Sequence, residues 1–195
     1  MKCNFVILSN EKTAALIQNE HDIHLWEQLR NGNKAALAEL FERYFTQLYN
    51  YGRKICSDEE QVKDCIQDLF LEIWNQNNKM SLLSVRAYLT KALQYKLIRI
   101  KKKSQLIQTF DGNGEEFFEL SHETFVIQNE IDTEKVKQLL TSMQQLPKRQ
   151  QEIIYLKYFL NLSYEEICSV MNIQYQVARN QISSAIKSLK NRADT

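Results

Sequence analysis

Side chains that can read DNA bases recur along residues 175–189, YQVARNQISSAIKSL. If this stretch is a helix, five apolar residues fall on one side, namely Ala178, Ile182, Ala185, Ile186 and Leu189. The opposite side carries Gln176, Val177, Arg179, Asn180, Ser183, Ser184 and Lys187. Amide side chains can bond adenine, arginine reads guanine, and valine can meet a thymine methyl group. The stretch therefore predicts a base-reading helix, with small serines that allow it to approach the groove closely.

A second, shorter helix is predicted immediately before this one. Ser163 and Glu166 have the spacing of a capping box, which predicts that a helix starts at Tyr164. Asn172 tolerates the left-handed conformation that a tight turn needs, so the two helices form a helix-turn-helix. A plain amphipathic hairpin remains the alternative, but the acid-free second helix and its polar face favour DNA binding.

The composition indicates a helical protein. Among 195 residues there are only 4 Gly and 1 Pro, which disfavours a turn-rich β fold. Hydrophobic residues make up 44% of the chain, enough for a core. We predict an all-α chain, with two small helical domains joined by an acidic linker.

The charge pattern divides the chain. Residues 104–134 contain eight acids and no Lys or Arg, which predicts an acidic flexible linker. Residues 23–103 and 135–192 carry apolar stripes at helical spacing and are the two predicted domains, while residues 1–22 form an N-terminal extension. The net charge of +1 hides a basic run at 96–103, KLIRIKKK, and an acidic stretch at 58–74.

The sequence shows no pattern typical of an enzyme. No nucleophile–base pair, phosphate loop or metal cluster is present, so no cofactor and no small-molecule substrate are expected. The four cysteines lack Cys-x-x-Cys spacing, and His21 and His24 have no third ligand nearby. Free cysteines without a signal peptide favour a reducing cytoplasm.

With these residues in view, the chain resembles the sigma-70-type transcription factors. The stretch LPKRQQEIIYLKYFLNLSYEEICSVMNIQYQVARNQISSAIKSLKN resembles their region 4. Upstream, DCIQDLFLEIW and SVRAYLTKALQYKLIRIKKK resemble parts of region 2. The chain is most similar to the small extracytoplasmic-function (ECF) group, and the likeness covers most of residues 23–191.

The resemblance implies roles for region 2. It would dock on the clamp helices of the β′ subunit of core RNA polymerase through Asp64, Gln67, Asp68, Phe70, Leu71 and Trp74. A loop with Asn77, Asn78 and Lys79 would capture a flipped base of the −10 element. Backbone phosphates would be bound by Lys91, Lys96, Arg99, Lys101, Lys102 and Lys103.

The resemblance also implies partners for region 4. Its recognition helix would read the −35 element of promoter DNA, Lys148 and Arg149 would touch phosphate, and its other side would meet the β flap of the polymerase. An anti-sigma factor, often membrane-bound in this group, is expected to restrain the protein. Gln174, Ala178 and Asn172 depart from the residues frequent in the family at those positions.

Two other interpretations stay open from sequence. One is a helix-turn-helix regulator that acts without polymerase docking and whose first block dimerises or receives a signal. The other is a helical adaptor that controls another sigma factor and makes no DNA contact. The first block favours the sigma interpretation, because an acidic–apolar helix, a polar loop and a basic helix suit docking and strand opening.

Overall fold

The computed structural model describes residues 3–75, 82–104, 117–120 and 133–193. Within these ranges the regular secondary structure is all α-helix, and the all-α prediction is confirmed for them. The helices are α1 (Cys3–Arg30), α2 (Lys34–Gly52), α3 (Glu59–Asn75), α4 (Val85–Ser104), α5 (Thr133–Gln144), α6 (Lys148–Tyr158), α7 (Tyr164–Met171) and α8 (Tyr175–Ala193). In the described part of the chain, no helix is both long and apolar enough to cross a membrane.

The first four helices pack around one core. The turn between α1 and α2 uses Gly32 at φ +84°, a backbone conformation that favours glycine. Asn33 then caps α2, because its side chain accepts hydrogen bonds from the Ala35 and Ala36 amides. Gly52 ends α2 where a Cβ atom would lie 2.7 Å from Val62 Cγ1, so only glycine allows this approach to α3.

The apolar stripes predicted for this block face inward. On α3 the buried residues are Val62, Cys65, Ile66, Leu69, Phe70 and Ile73. In the sequence, Ser57 is a possible cap of α3, with Glu60 three residues on. In the structure Asp58 instead accepts the hydrogen bond from the Gln61 amide, at 3.1 Å. The aspartate lies directly before the helix, whereas Ser57 is one residue too early to reach that amide.

Helix α1 is continuous across residues 22 and 23, where the predicted extension meets the predicted first domain. Asp22 is buried on the α2 side of α1. It accepts hydrogen bonds from the Tyr44 hydroxyl and from Arg43 Nη1, the latter at 2.5 Å. The C-terminal part of α1 therefore packs as part of the first domain.

Helices α5 to α8 form the second domain, whose core includes Ile153, Leu156, Ile167 and Ile182. Helix α7 also packs on α4, so the two domains touch. Residues 117–120, inside the predicted linker, lie between them with Phe118 and Leu120 buried. The Glu119 amide donates to the Lys54 carbonyl in the first domain, and Gln144 Nε2 of the second domain donates to the Leu120 carbonyl.

A buried carboxylate joins the domains beside this segment. Glu152 of α6 is 2% exposed and accepts from the Tyr51 hydroxyl and from Gln94 Nε2, each at 2.7 Å. Burial and the neighbouring Glu152 raise the pKa of Tyr51 well above its usual value, so this phenol stays a donor. Tyr51 and Gln94 are neutral donors, and Tyr51 and Phe118 also contact as rings 6.0 Å apart.

Candidate nucleic-acid interface

The helix-turn-helix has the local geometry that its sequence predicts. The Ser163 hydroxyl accepts from the Glu166 amide at 3.2 Å, and the Glu166 carboxylate accepts from the Ser163 amide at 2.7 Å. Together these bonds form the predicted capping box at the start of α7. Asn172 ends α7 at φ 52° and ψ 50°, which confirms the left-handed turn.

Helix α8 starts at Tyr175 as predicted and continues to Ala193, four residues past the predicted end. Ala178, Ile182 and Ala185 are buried and fix α8 on the domain core, while Ile186 and Leu189 pack against its edge. The polar side of the helix is exposed throughout, at Gln176, Val177, Arg179, Asn180, Ser183, Ser184 and Lys187. The structure thus presents these seven side chains together on one free surface.

Two of these side chains order each other. Gln176 Nε2 donates to Asn180 Oδ1 at 3.0 Å, one helical turn apart. Val177 is 39% exposed and lies beside this pair. The surface therefore combines linked amides, an apolar side chain and a cation, which is the chemistry needed to discriminate base edges in the major groove.

On α3, the predicted docking residues divide by burial. Asp64, Gln67, Asp68 and Leu71 are exposed, and Leu71 keeps 56% of its surface in solvent. Phe70 is 5% exposed and packs edge-on against Phe41, with ring centroids 5.2 Å apart. Trp74 is half-buried. An acidic surface with one protruding leucine is therefore available to a partner, whereas Phe70 supports it from the core.

The predicted cations on α4 are not all equivalent. Arg99 and Lys103 are exposed, and Lys91 and Lys102 are half-buried. Lys96 forms an ion pair of 2.5 Å with Glu72, and Lys101 Nζ donates to the Ile55 carbonyl at 2.8 Å. Asn77, Asn78 and Lys79 lie outside the described residues.

Of the two cations predicted to touch phosphate at the start of α6, Lys148 lies 3.3 Å from Glu119 in an ion pair. Arg149 is half-buried. Lys148 thus helps to hold the segment 117–120 in this arrangement.

Sequence reasoning missed a polar contact between α4 and α7. Glu166 accepts from Ser84 Oγ at 2.5 Å and from Arg86 Nη2 at 3.0 Å, in addition to its role in the capping box. Burial opposes its charge, but Arg86, Ser84 and the Ser163 amide together hold the pKa of Glu166 below its usual value. The only sequence signal was the isolated Arg86 at the start of SVRAYL, and it does not specify a partner 80 residues away.

The fold and this surface define a helical protein with a helix-turn-helix whose polar side is exposed. Residues 137–189 match the family model described as Sigma-70, region 4. This match agrees with the resemblance of the C-terminal motifs to region 4 and covers the helix-turn-helix. No curated protein sequence gives a significant match.

Two solved structures share the fold over most of the chain. One is CnrH, solved in complex with the cytosolic domain of CnrY; it has 19% identity and a TM-score of 0.59, covering 89% of this chain and 97% of CnrH. The other is the sigma factor RpoE in complex with the anti-sigma factor NepR from Bartonella quintana; it has 14% identity and a TM-score of 0.55, covering 81% of this chain and 96% of RpoE. The likeness extends the shared fold beyond region 4 to the first domain.

Proposed function

We propose that this chain is an ECF-type sigma factor, which binds core RNA polymerase, directs it to promoters and assists strand opening. The observation that carries the proposal is the match to sigma-70 region 4 over a helix-turn-helix whose polar side is exposed. A regulator that needs only its helix-turn-helix would not account for a first domain with the sigma-factor fold. No observation favours the adaptor interpretation.

The division of roles follows the exposed surfaces. The exposed part of α3, with Leu71 at its centre, docks on the β′ clamp helices. The loop after α3 and the cations of α4 engage the −10 element, and α8 reads the −35 element. The β flap meets region 4 away from α8. These contacts need no bound cofactor, because the factor positions the polymerase and leaves polymerisation to it.

An anti-sigma factor is part of the proposal. RpoE was solved with the anti-sigma factor NepR, and CnrH with the cytosolic domain of CnrY. We expect a comparable partner here that covers the surfaces used for polymerase. The protein would then act in the cytoplasm, where promoter DNA and polymerase are found.

The test is a binding measurement of the purified chain with bacterial core RNA polymerase, followed by run-off transcription from a genomic fragment library. Leu71→Asp should weaken polymerase binding by at least about tenfold, as expected for the loss of a central apolar anchor. Ile17→Asp is the matched control, since Ile17 is 61% exposed on α1 and outside the docking surface.

Polymerase binding by the wild type, together with transcription from specific start sites, supports the proposal. The DNA upstream of those start sites then gives the promoter sequence. Tight duplex binding by the chain alone, with no polymerase binding, would instead favour the regulator. If Leu71→Asp and Ile17→Asp weaken polymerase binding equally, α3 is not the docking surface.

A further inference from the structure

The carboxylate of Glu166, in the second domain, is held by side chains of the first domain at the start of α4. The Glu166 carboxylate accepts from Ser84 Oγ at 2.5 Å and from Arg86 Nη2 at 3.0 and 3.2 Å. Arg86 Nη1 also donates to the Leu160 carbonyl at 3.3 Å. The side chains of Arg86 and Glu166 keep only 21% and 13% of their surface exposed, so the ion pair is largely withdrawn from water. The oxygens of a phosphodiester accept hydrogen bonds from the same kinds of donor, a hydroxyl and a guanidinium.

The position of this pair lies beside the proposed −10 surface. Ser84 and Arg86 follow the loop between α3 and α4 to which base capture is assigned. Leu83 is 95% exposed, and Asn19 Nδ2 fixes its carbonyl at 3.0 Å. A small polar recess next to Arg86 is lined by Gln18, Asn19, Asp22 and Tyr44. Arg86 is also the first cation along the chain after residues 75–81, to which base capture is assigned.

The Glu166 contact cannot persist when both promoter elements are read. Elements centred at −10 and −35 lie about 25 base pairs apart, or about 85 Å at 3.4 Å per pair. Here α4 and α7 are in hydrogen-bond contact. Residues 105–132 connect the domains, and such a chain can reach about 90 Å if fully extended. Separation removes Glu166 from Arg86 and leaves Ser84 and Arg86 without their anion.

We propose that Ser84 and Arg86 form a phosphate-binding site for the unpaired promoter strand, and that Glu166 occupies it in the closed chain in place of phosphate. This inference rests on the proposed function. Glu166 thus competes with DNA for one pair of donors. The observed DNA affinity of the free chain equals the affinity of the open form multiplied by the fraction of molecules that are open. The same carboxylate caps α7, so the helix-turn-helix itself carries the competing group.

The chain offers a clean substitution to test this. Glu166→Gln removes the charge that pairs with Arg86, yet glutamine also serves in a capping box, so α7 keeps its cap. Glu165→Gln is the matched control: Glu165 is the neighbouring acid in the first turn of α7 and is exposed. The probe is a fluorescein-labelled single-stranded 20-mer of mixed sequence, without polymerase, titrated with the full chain at several salt concentrations.

Glu166→Gln should bind the 20-mer at least about fivefold more tightly than wild type, the lower end of typical coupling between sites. Its affinity should also fall more steeply with salt, by about 0.7 in the log–log slope for one added phosphate contact. Glu165→Gln should show a smaller gain in affinity for the 20-mer, and its salt dependence should match that of the wild type. Arg86→Gln should cancel the gain when combined with Glu166→Gln.

Three results would overturn the site: equal gains in Glu166→Gln and Glu165→Gln, a gain that survives Arg86→Gln, or no binding by Glu166→Gln. Because polymerase is absent from this assay, such a failure leaves polymerase binding by the wild type standing. Conversely, a chain that fails to bind polymerase can still show the Glu166→Gln gain. Circular dichroism is the check that each variant keeps its helical content.

Discussion

At the scale of single residues, Glu166 shows what a sequence specifies and what it leaves out. Its bond to the Ser163 amide spans three residues, and the spacing Ser-x-x-Glu alone predicts it. Its bonds to Ser84 and Arg86 join residues 82 and 80 positions away, and no local pattern encodes them. The exposed side of α8 is likewise predictable, because helical periodicity specifies it. The partners of buried Glu152 are not, because they depend on how the domains meet.

Lys54 provides a residue-scale prediction about pH. Lys54 lies in the turn after α2 and is buried, and burial together with Arg53 lowers its pKa to about 8 from 10.5. Above about pH 8 the folded protein has released this proton while the unfolded chain still binds it, so stability rises with pH there. Lys54→Met should therefore stabilise the protein at pH 7, by up to about 3 kcal/mol, and the difference should shrink towards pH 9.5.

Urea unfolding at pH 7 and 9.5 measures this difference, below the range near pH 10 where tyrosines begin to ionise in the unfolded chain. Lys34→Met is the control, because Lys34 is exposed at the start of α2. A stability difference between Lys54→Met and wild type that does not change with pH would contradict the prediction.

At the scale of elements, most of the second domain follows from local signals. The start of α7, the turn at Asn172 and the start of α8 are set by a cap, a left-handed asparagine and an apolar stripe. The end of α8 was predicted too early, because KNRA contains no glycine or proline to stop the helix. The cap of α3 was one residue off, since Ser57 and Asp58 are adjacent residues that can both cap a helix.

The proposed role of α8 in reading the −35 element can be tested by substitution. Arg179→Ala and Asn180→Ala should each cost about 1–3 kcal/mol of discrimination between the promoter and a mutated −35 element, if these side chains contact bases. The measurement is competition binding of the holoenzyme to both DNAs. Lys190→Ala is the control on the same helix, and it should weaken binding to both DNAs alike. Losses by Arg179→Ala that are equal on both DNAs would assign Arg179 to phosphate.

At the scale of the whole molecule, composition and charge predict two helical domains but not their contact. Residues 104–134 appear from sequence as an acidic linker, and their boundaries remain a prediction. Yet Phe118 and Leu120 within that range are buried between the domains. The apolar residues of FFEL are a weak signal among eight acids, because burying them depends on two surfaces that form only after each domain folds. Whether residues 117–120 are buried therefore depends on tertiary structure and not on local sequence.

The last prediction concerns that segment. Phe118 lies 6.0 Å from the Tyr51 ring and 5.7 Å from the Tyr155 ring, so it joins one domain to the other. Phe118→Ala removes an aromatic contact of the size that costs about 3–5 kcal/mol in a core. Each domain retains its own core, so the loss should separate the domains without unfolding them. Small-angle X-ray scattering should then show a radius of gyration above the value of about 16 Å for a compact chain of this length.

Phe117→Ala is the matched control, because Phe117 lies under Lys101 of the first domain, with the ammonium 5.0 Å from the ring centroid. It should leave the radius of gyration unchanged. If Phe118→Ala is as compact as wild type while its helical content is intact, the segment is not what holds the domains together, and the Glu152 and Glu166 contacts suffice. If it opens, Arg86 loses its carboxylate, and Phe118→Ala should reproduce the tighter single-strand binding expected of Glu166→Gln.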